Sequence, residues 1–294
     1  MDKRIGVMGE QSEEMKPWKL LAYVWANSPL LRSLRYRIGG HRSLASFFLP
    51  DRQGTVKIQG GLNKYIKMHL NTRDEHTYFL GIHEPDVQWI LPRVVRPGMT
   101  VYNIGGHLGF FTLALNLLVG PAGHVVTFEP HPQVRERLIE NVSLNGMVDS
   151  VSVEEAALGD FDGTAEFSLS LNDTQGRFAD LPHVKPGSVI QVQCKRFDTY
   201  VRETGRIPHF ILMDVEHAEG RVLRGMFETI EAYKPLIVIE THGPEAIEET
   251  WVELKKHQYL LATVPGLEIV ASSDMVRYGH YLAAHRSYFE QNLG

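Results

Sequence analysis

From about residue 100 onward, short apolar runs rich in β-branched side chains alternate with segments of helical period. The runs at 100–103, 124–128, 151–155, 209–213 and 236–240 are too short for helices and read as buried strands. Between them, 110–118, 132–144, 220–232 and 245–256 place apolar residues three and four apart, the spacing of one helix face. That alternation predicts parallel βαβ units and an α/β, doubly wound sheet. Two stretches break the rhythm. Residues 164–171 and 189–197 alternate like antiparallel strands, and the polar, turn-rich connection between them, 172–187, is long enough to form a flap. The spacing also allows a closing antiparallel pair at 267–271 and 279–284. Upstream, 55–70 reads as a small hairpin and 86–94 as a helix, while Pro29 and Gly39-Gly40 delimit short helices at 17–27 and 30–38. The chain therefore divides into an N-terminal extension with a hairpin, 1–78, and a main domain, 79–294.

Composition narrows the class. A chain of 294 residues that is 43% hydrophobic can bury one large core with a small extension. Its single cysteine, Cys194, excludes an internal disulfide framework and is expected to be buried on a strand. The first 16 residues are polar and resemble no secretory signal, and the apolar run 20–25 is too short to cross a bilayer, so a cytoplasmic location is expected. Charge is unevenly divided: the overall formal charge is −5, yet no acid occurs between Met15 and Pro50. There Lys16, Lys19, Arg32, Arg35, Arg37 and Arg42 stand among Trp18, Tyr23, Trp25 and Tyr36. Such a stretch either packs its aromatics on the core and solvates its cations, or makes peripheral contact with an anionic membrane or carrier lipid. The acidic remainder would repel phosphates, so no nucleic-acid partner is expected.

The candidate chemistry lies in TVYNIGGHLGFFTLALNLLVGPAGHVVTFEP, residues 100–130. A strand runs into a turn carrying Gly105, Gly106 and Gly109, then a helix, then a second strand that ends on Glu129. Glycines allow a sharp turn with a ligand pressed against the backbone. An acid at the tip of the next strand is placed to accept hydrogen bonds from two ribose hydroxyls. A nucleoside cofactor follows. The dinucleotide fingerprint G-x-G-x-x-G is excluded because Gly105 and Gly106 are adjacent and position 103 is Asn, and no G-x-x-x-x-G-K-[ST] phosphate loop occurs anywhere in the chain.

The segment resembles motif I of the class I S-adenosylmethionine (SAM) methyltransferases. Further motifs arrive in order: Pro97-Gly98, Phe128-Glu129-Pro130, Leu138 with Asn141 and Asn145, and Met213-Asp214-Val215-Glu216-His217-Ala218-Glu219. Together they resemble the FkbM-type methyltransferases over roughly 79–243. The resemblance implies a Rossmann-like, mostly parallel sheet with an antiparallel final strand, and SAM as the cofactor. It implies cofactor binding by Asn103, Gly105, Gly106, His107, Gly109, Glu129, Pro130, Ala157 and Asp214. It also implies methylation of a hydroxyl on a sugar or similar secondary metabolite, a small-molecule or glycan acceptor. Asp214, Glu216 and His242 are the candidates for receiving the acceptor's proton. Asn141 and Asn145 are expected to pack and cap helices, and Glu219 to cap. Asn103 stands where an acid is usual, His107 where a small polar residue is, Leu212 where lysine is common and His217 where glycine is. His83-Glu84 resembles the G-x-Y-E element that precedes the domain. These departures leave two alternatives, an N-methyltransferase on the same scaffold and a non-catalytic SAM-binding protein acting through a partner. Asp214, Glu216 and His217, crowded on one strand end, are not expected to converge on a metal.

Overall fold

The computed structural model describes residues 49, 51–169, 176–181 and 188–292. The two helices expected at 17–27 and 30–38, and nearly all of the basic segment 16–50, lie outside these residues. Among the described residues no helix is long and apolar enough to cross a membrane.

The expected hairpin is present as β1 (Gln53–Lys57) and β2 (Lys67–Asn71), paired antiparallel. Two helices follow, α1 (His76–Leu80) and α2 (Pro85–Val94). The alternating region then gives β3 (Thr100–Ile104), α3 (Phe110–Val119), β4 (His124–Phe128), α4 (Pro132–Leu144) and β5 (Val151–Glu154). A second, four-stranded sheet is inserted next. It comprises β6 (Ala157–Gly159), β7 (Gly163–Leu169), β8 (Gly176–Phe178) and β9 (Ser188–Arg196), in the order β6-β9-β7-β8. Helix α5 (Phe197–Thr204) returns the chain to β10 (Phe210–Met213). It continues with α6 (Glu219–Arg224), α7 (Phe227–Tyr233), β11 (Leu236–Thr241), α8 (Gly243–Lys256), β12 (Tyr259–Thr263), β13 (Gly279–His285) and α9 (Arg286–Asn292).

The main sheet has seven strands in the order β12-β13-β11-β10-β3-β4-β5. The pairings among β11, β10, β3, β4 and β5 are parallel, and β13 is antiparallel to both of its neighbours. This is the doubly wound class I methyltransferase arrangement, with an antiparallel strand near one edge. Period-2 alternation sorts the strands onto two cores. Val101, Val125, Phe210 and Leu212 join one face, while Tyr102, Val126, Ile211 and Met213 join the other. The hairpin shares the first core through Ile58, Met68 and Leu70. Asn141 stitches it there, accepting from the His69 amide at 2.7 Å and donating to the Leu108 carbonyl at 2.9 Å.

Three expectations change. The single helix at 220–232 is two, broken at Gly225, where a side chain would collide with the Gly159 carbonyl. Asp198 caps the second half by accepting from the amides of Glu228 and Thr229. The partner of β13 is β12, whereas 267–271 contribute only a bridge from Ile269 to Ala262. Burial favours β12: Tyr259, Leu261 and Ala262 are enclosed there, while in 267–271 only Val270 is and Ile269 stays 48% exposed. The antiparallel pair at 164–171 and 189–197 is present as β7 and β9, but part of the connection between them folds back as β8. Cys194 is buried on β9, as expected.

Candidate functional site

A cavity of about 490 Å³ opens outside the carboxyl ends of β3, β4, β10 and β11. The strand order reverses between β3 and β10, the switch point at which open α/β sheets hold ligands. Asn103, Gly105, Gly106, His107, Glu129, Pro130, Ala157, Asp214, Glu216 and His242 all line it. Of the residues expected to bind the cofactor or take the proton, only Gly109 does not; it sits at the N-cap of α3 with φ +90, facing Leu138.

The glycine turn owes its composition to the protein itself. Gly105 has φ +92, and a Cβ there would strike the Asp214 carbonyl oxygen; one on Gly106 would strike Thr127 Oγ1. The amides of Gly105 and Gly106 both donate to the Phe128 carbonyl. The glycines therefore let β3, β4 and β10 close on one another, and Gly105 and Gly106 also line the cavity. Side chains fix the rest of the turn. Glu129 accepts from the His107 amide and the His131 amide, each at 2.8 Å. Burial raises the Glu129 pKa to about 7, more than these two amide bonds and Arg135 lower it. Asn103 donates to Thr112 Oγ1 at 2.9 Å, inside a buried polar ladder that reaches Thr127. His107 contacts the Tyr78 hydroxyl through Nδ1 at 3.0 Å, and burial lowers its pKa to about 4, so the ring is neutral.

At the other end β10 stops at Met213 and the chain curls, with Glu216 and His217 at φ +48 and +75. Asp214 and Glu216 therefore both face the cavity and do not alternate as on a strand. His217 occupies a left-handed position that favours glycine. His217→Gly should stabilise the fold by about 1 kcal/mol, read as a higher Tm in thermal unfolding.

His242 Nδ1 lies 2.6 Å from Oε1 of Glu219, a fully buried carboxylate. Its Nε2 faces Asp214 Oδ1 and Glu240 Oε2, both at 3.6 Å, and Glu216 Oε2 at 3.9 Å. Desolvation opposes the charge, but the Glu219 bond and the surrounding carboxylates outweigh it and raise the His242 pKa to about 9. His242 is thus held toward its protonated form, with Glu219 behind it and Asp214, Glu216 and Glu240 in front. Asp214 moves the opposite way from an ordinary carboxylate. Desolvation, followed by the fields of Glu240 and Glu84, pushes its pKa well up. Glu219, expected only to cap, braces His242.

Residues absent from the sequence reading complete the cluster. His280 on β13 places Nδ1 2.9 Å from Asp86 Oδ2 and Nε2 3.2 Å from Glu84 Oε2. The His83-Glu84 element does reach the cleft, with His83 Nε2 2.9 Å from Glu84 Oε1. Asp86 and His280 are 194 residues apart, so no local spacing could have paired them.

The residues present fit SAM, the expected cofactor. The volume lies in the range of small-ligand sites, roughly 300–1,000 Å³. Each Glu129 oxygen has spent one acceptor position on a backbone amide and keeps another for a ribose hydroxyl. No side chain caps the N-terminus of α3, which leaves its first amides for a carboxylate.

Comparisons with known proteins agree at the level of family. A profile for the Methyltransferase FkbM domain matches residues 103–261, more than half of the chain. No curated protein matches the chain. Among solved structures, a methyltransferase FkbM from Methylobacillus flagellatus KT is 13% identical, with 72% of this chain and 55% of that one covered and a TM-score of 0.40. A SAM-dependent methyltransferase from Aquifex aeolicus is 16% identical, with 68% and 88% covered and a TM-score of 0.40. Aeropyrum pernix fibrillarin, solved with natively bound SAM, is 14% identical, with 65% and 68% covered and a TM-score of 0.39. These likenesses are distant, and the assignment rests on the profile match: the chain belongs to the FkbM family of SAM-dependent methyltransferases.

Proposed function

We propose that the chain methylates a hydroxyl of a sugar or similar secondary metabolite. SAM supplies a methyl group already activated by its sulfonium. Glu129 holds the ribose through the free acceptor positions of its carboxylate, Ala157 and Leu158 lie against the adenine, and the first turn of α3 faces the methionine carboxylate. An acceptor oxygen that takes the methyl carbon must lose its proton as the carbon–sulfur bond breaks and S-adenosylhomocysteine leaves. Asp214, with Glu216 beside it, receives that proton, and the His242 imidazolium stabilises the carboxylate form of both.

The observation that carries this reading is the Asp214 carboxylate. It faces the cavity with one buried oxygen, Oδ1, that makes no hydrogen bond. A proton acceptor of raised affinity at the acceptor end suits a hydroxyl, whose own proton is held tightly. The crowding of Glu84, Asp214, Glu216 and Glu240 also suits a cationic amine, which makes N-methylation the second reading. An amine needs less base catalysis. A panel of polyol and amine acceptors, assayed with methyl-labelled SAM, separates the two: transfer to hydroxyls that collapses in Asp214→Asn supports the first, and transfer to amines that survives it supports the second.

A further inference from the structure

We infer that the carboxylate–histidine cluster is a binding site for a divalent first-row transition cation, with Glu240, Asp214 and His242 as its ligands. Glu240 Oε2, Asp214 Oδ1 and His242 Nε2 lie within 4.8 Å of one another. The two separations from Nε2, both 3.6 Å, exceed a hydrogen bond of roughly 2.7–3.2 Å. They approach the spacing of neighbouring donors on one ion, roughly 3.0–3.6 Å for ligand distances near 2.1 Å.

Three further features point the same way. Both histidines are braced from behind: His242 through Nδ1 to Glu219 at 2.6 Å, and His280 through Nδ1 to Asp86 at 2.9 Å. A carboxylate on one ring nitrogen, with the other nitrogen presented forward, is how metal-binding histidines are oriented. Second, buried polar atoms aim into the cluster without hydrogen bonds. Asp214 Oδ1 is one and His280 Nε2 is another, on a side chain only 7% exposed. His280 Nε2 sits 3.6 Å from the same Glu240 oxygen and 3.2 Å from Glu84 Oε2, outside hydrogen-bond geometry to either. Third, six carboxyl side chains, those of Glu84, Asp86, Asp214, Glu216, Glu219 and Glu240, stand around four basic ones, His83, His242, His280 and Arg177. A divalent cation offsets that surplus and takes the place of the His242 Nε2 proton.

The mixed donor set, one imidazole and two carboxylates, suits manganese, iron or zinc better than magnesium or calcium. Such an ion would hold an acceptor hydroxyl and lower its pKa beside Asp214 and Glu216, the pair proposed to take its proton. Cation binding itself does not rest on the proposed methyl transfer, because it is measured on the chain without SAM or acceptor.

The test is titration of the full chain with Mn²⁺, followed by loss of the free-ion electron paramagnetic resonance signal. Expected are one ion per chain bound at micromolar concentration, displacement by Zn²⁺, and a rise in Tm with the cation. Glu240→Gln and Asp214→Asn should each weaken binding more than about tenfold, and Glu219→Gln, which keeps the ligands but removes the brace, by about 10–100-fold. Circular dichroism checks the fold of each variant. Asp214, whose side chain opens to the cavity, keeps the test decisive if Glu240→Gln does not fold. Mn²⁺ that stays free with no Tm rise from Zn²⁺, or binding that persists unchanged in folded Asp214→Asn, overturns the proposal. A parallel SAM titration keeps the two readings apart: SAM bound with Mn²⁺ free sinks the cation site alone, and the reverse sinks the cofactor site alone.

Discussion

Asp214→Asn should lower kcat for a hydroxyl acceptor by about 10²–10⁴-fold while SAM affinity changes only a few-fold. The substitution is close to isosteric and removes both the charge and the ability to take a proton. The Asp214 backbone carbonyl lies against Gly105 and its amide donates to the Ile104 carbonyl at 2.9 Å, so the loop geometry does not depend on the carboxylate. Methyl-labelled SAM turnover under saturating cofactor, alongside calorimetric SAM binding, reads the two quantities separately. Retained kcat with a hydroxyl acceptor would remove Asp214 from proton transfer. Lost SAM binding would place it in the cofactor site instead.

Glu129→Ala should weaken SAM binding at least about tenfold, the worth of one or two hydrogen bonds to a charged group. It also removes the acceptor for two turn amides, so Glu129→Gln is the cleaner partner. Burial holds the Glu129 pKa near 7 against an ordinary 4.5, and this fixes the sign of two pH effects. For the free chain, a raised carboxyl pKa favours the protonated folded form. That contribution to stability is full below about pH 4.5 and is lost as pH rises through about 7. For SAM, two ribose hydroxyls need acceptors, which the carboxylate offers and the protonated group offers less well. Affinity should therefore tighten as pH rises from 6 to 8 and approach a plateau above the pKa. Glu129→Gln should flatten the profile. A wild-type SAM affinity that is flat across this window, or unchanged in Glu129→Ala, removes the ribose assignment.

Much of the scaffold was legible because its signals are local. A strand of five residues, a glycine turn, a helix and a second strand ending on an acid can be read along one stretch of chain, and β4 and α4 appear at the residues expected. Where local signals compete with packing, the reading slipped. The 220–232 segment has helical period throughout, yet the approach of Gly225 to the Gly159 carbonyl splits it. The glycines of the turn were legible as glycines, but their reason was not: the collision they avoid is with Asp214, more than a hundred residues away.

The sequence by itself determined the fold class, the glycine-turn end of the cleft and the family, since these follow from hydrophobic period, backbone conformations open to glycine, and motif spacing. Only the tertiary structure decided the charge state and company of the acceptor end. Glu84 and Asp86 come from the approach to the first core strand, Asp214 and Glu216 from the loop after β10, Glu240 and His242 from the end of β11, and His280 from the antiparallel β13. Whether a histidine there is a neutral base, an imidazolium or a metal ligand depends on burial and on which carboxylates stand within about 4 Å. Those quantities belong to the folded sheet and to no stretch of the chain.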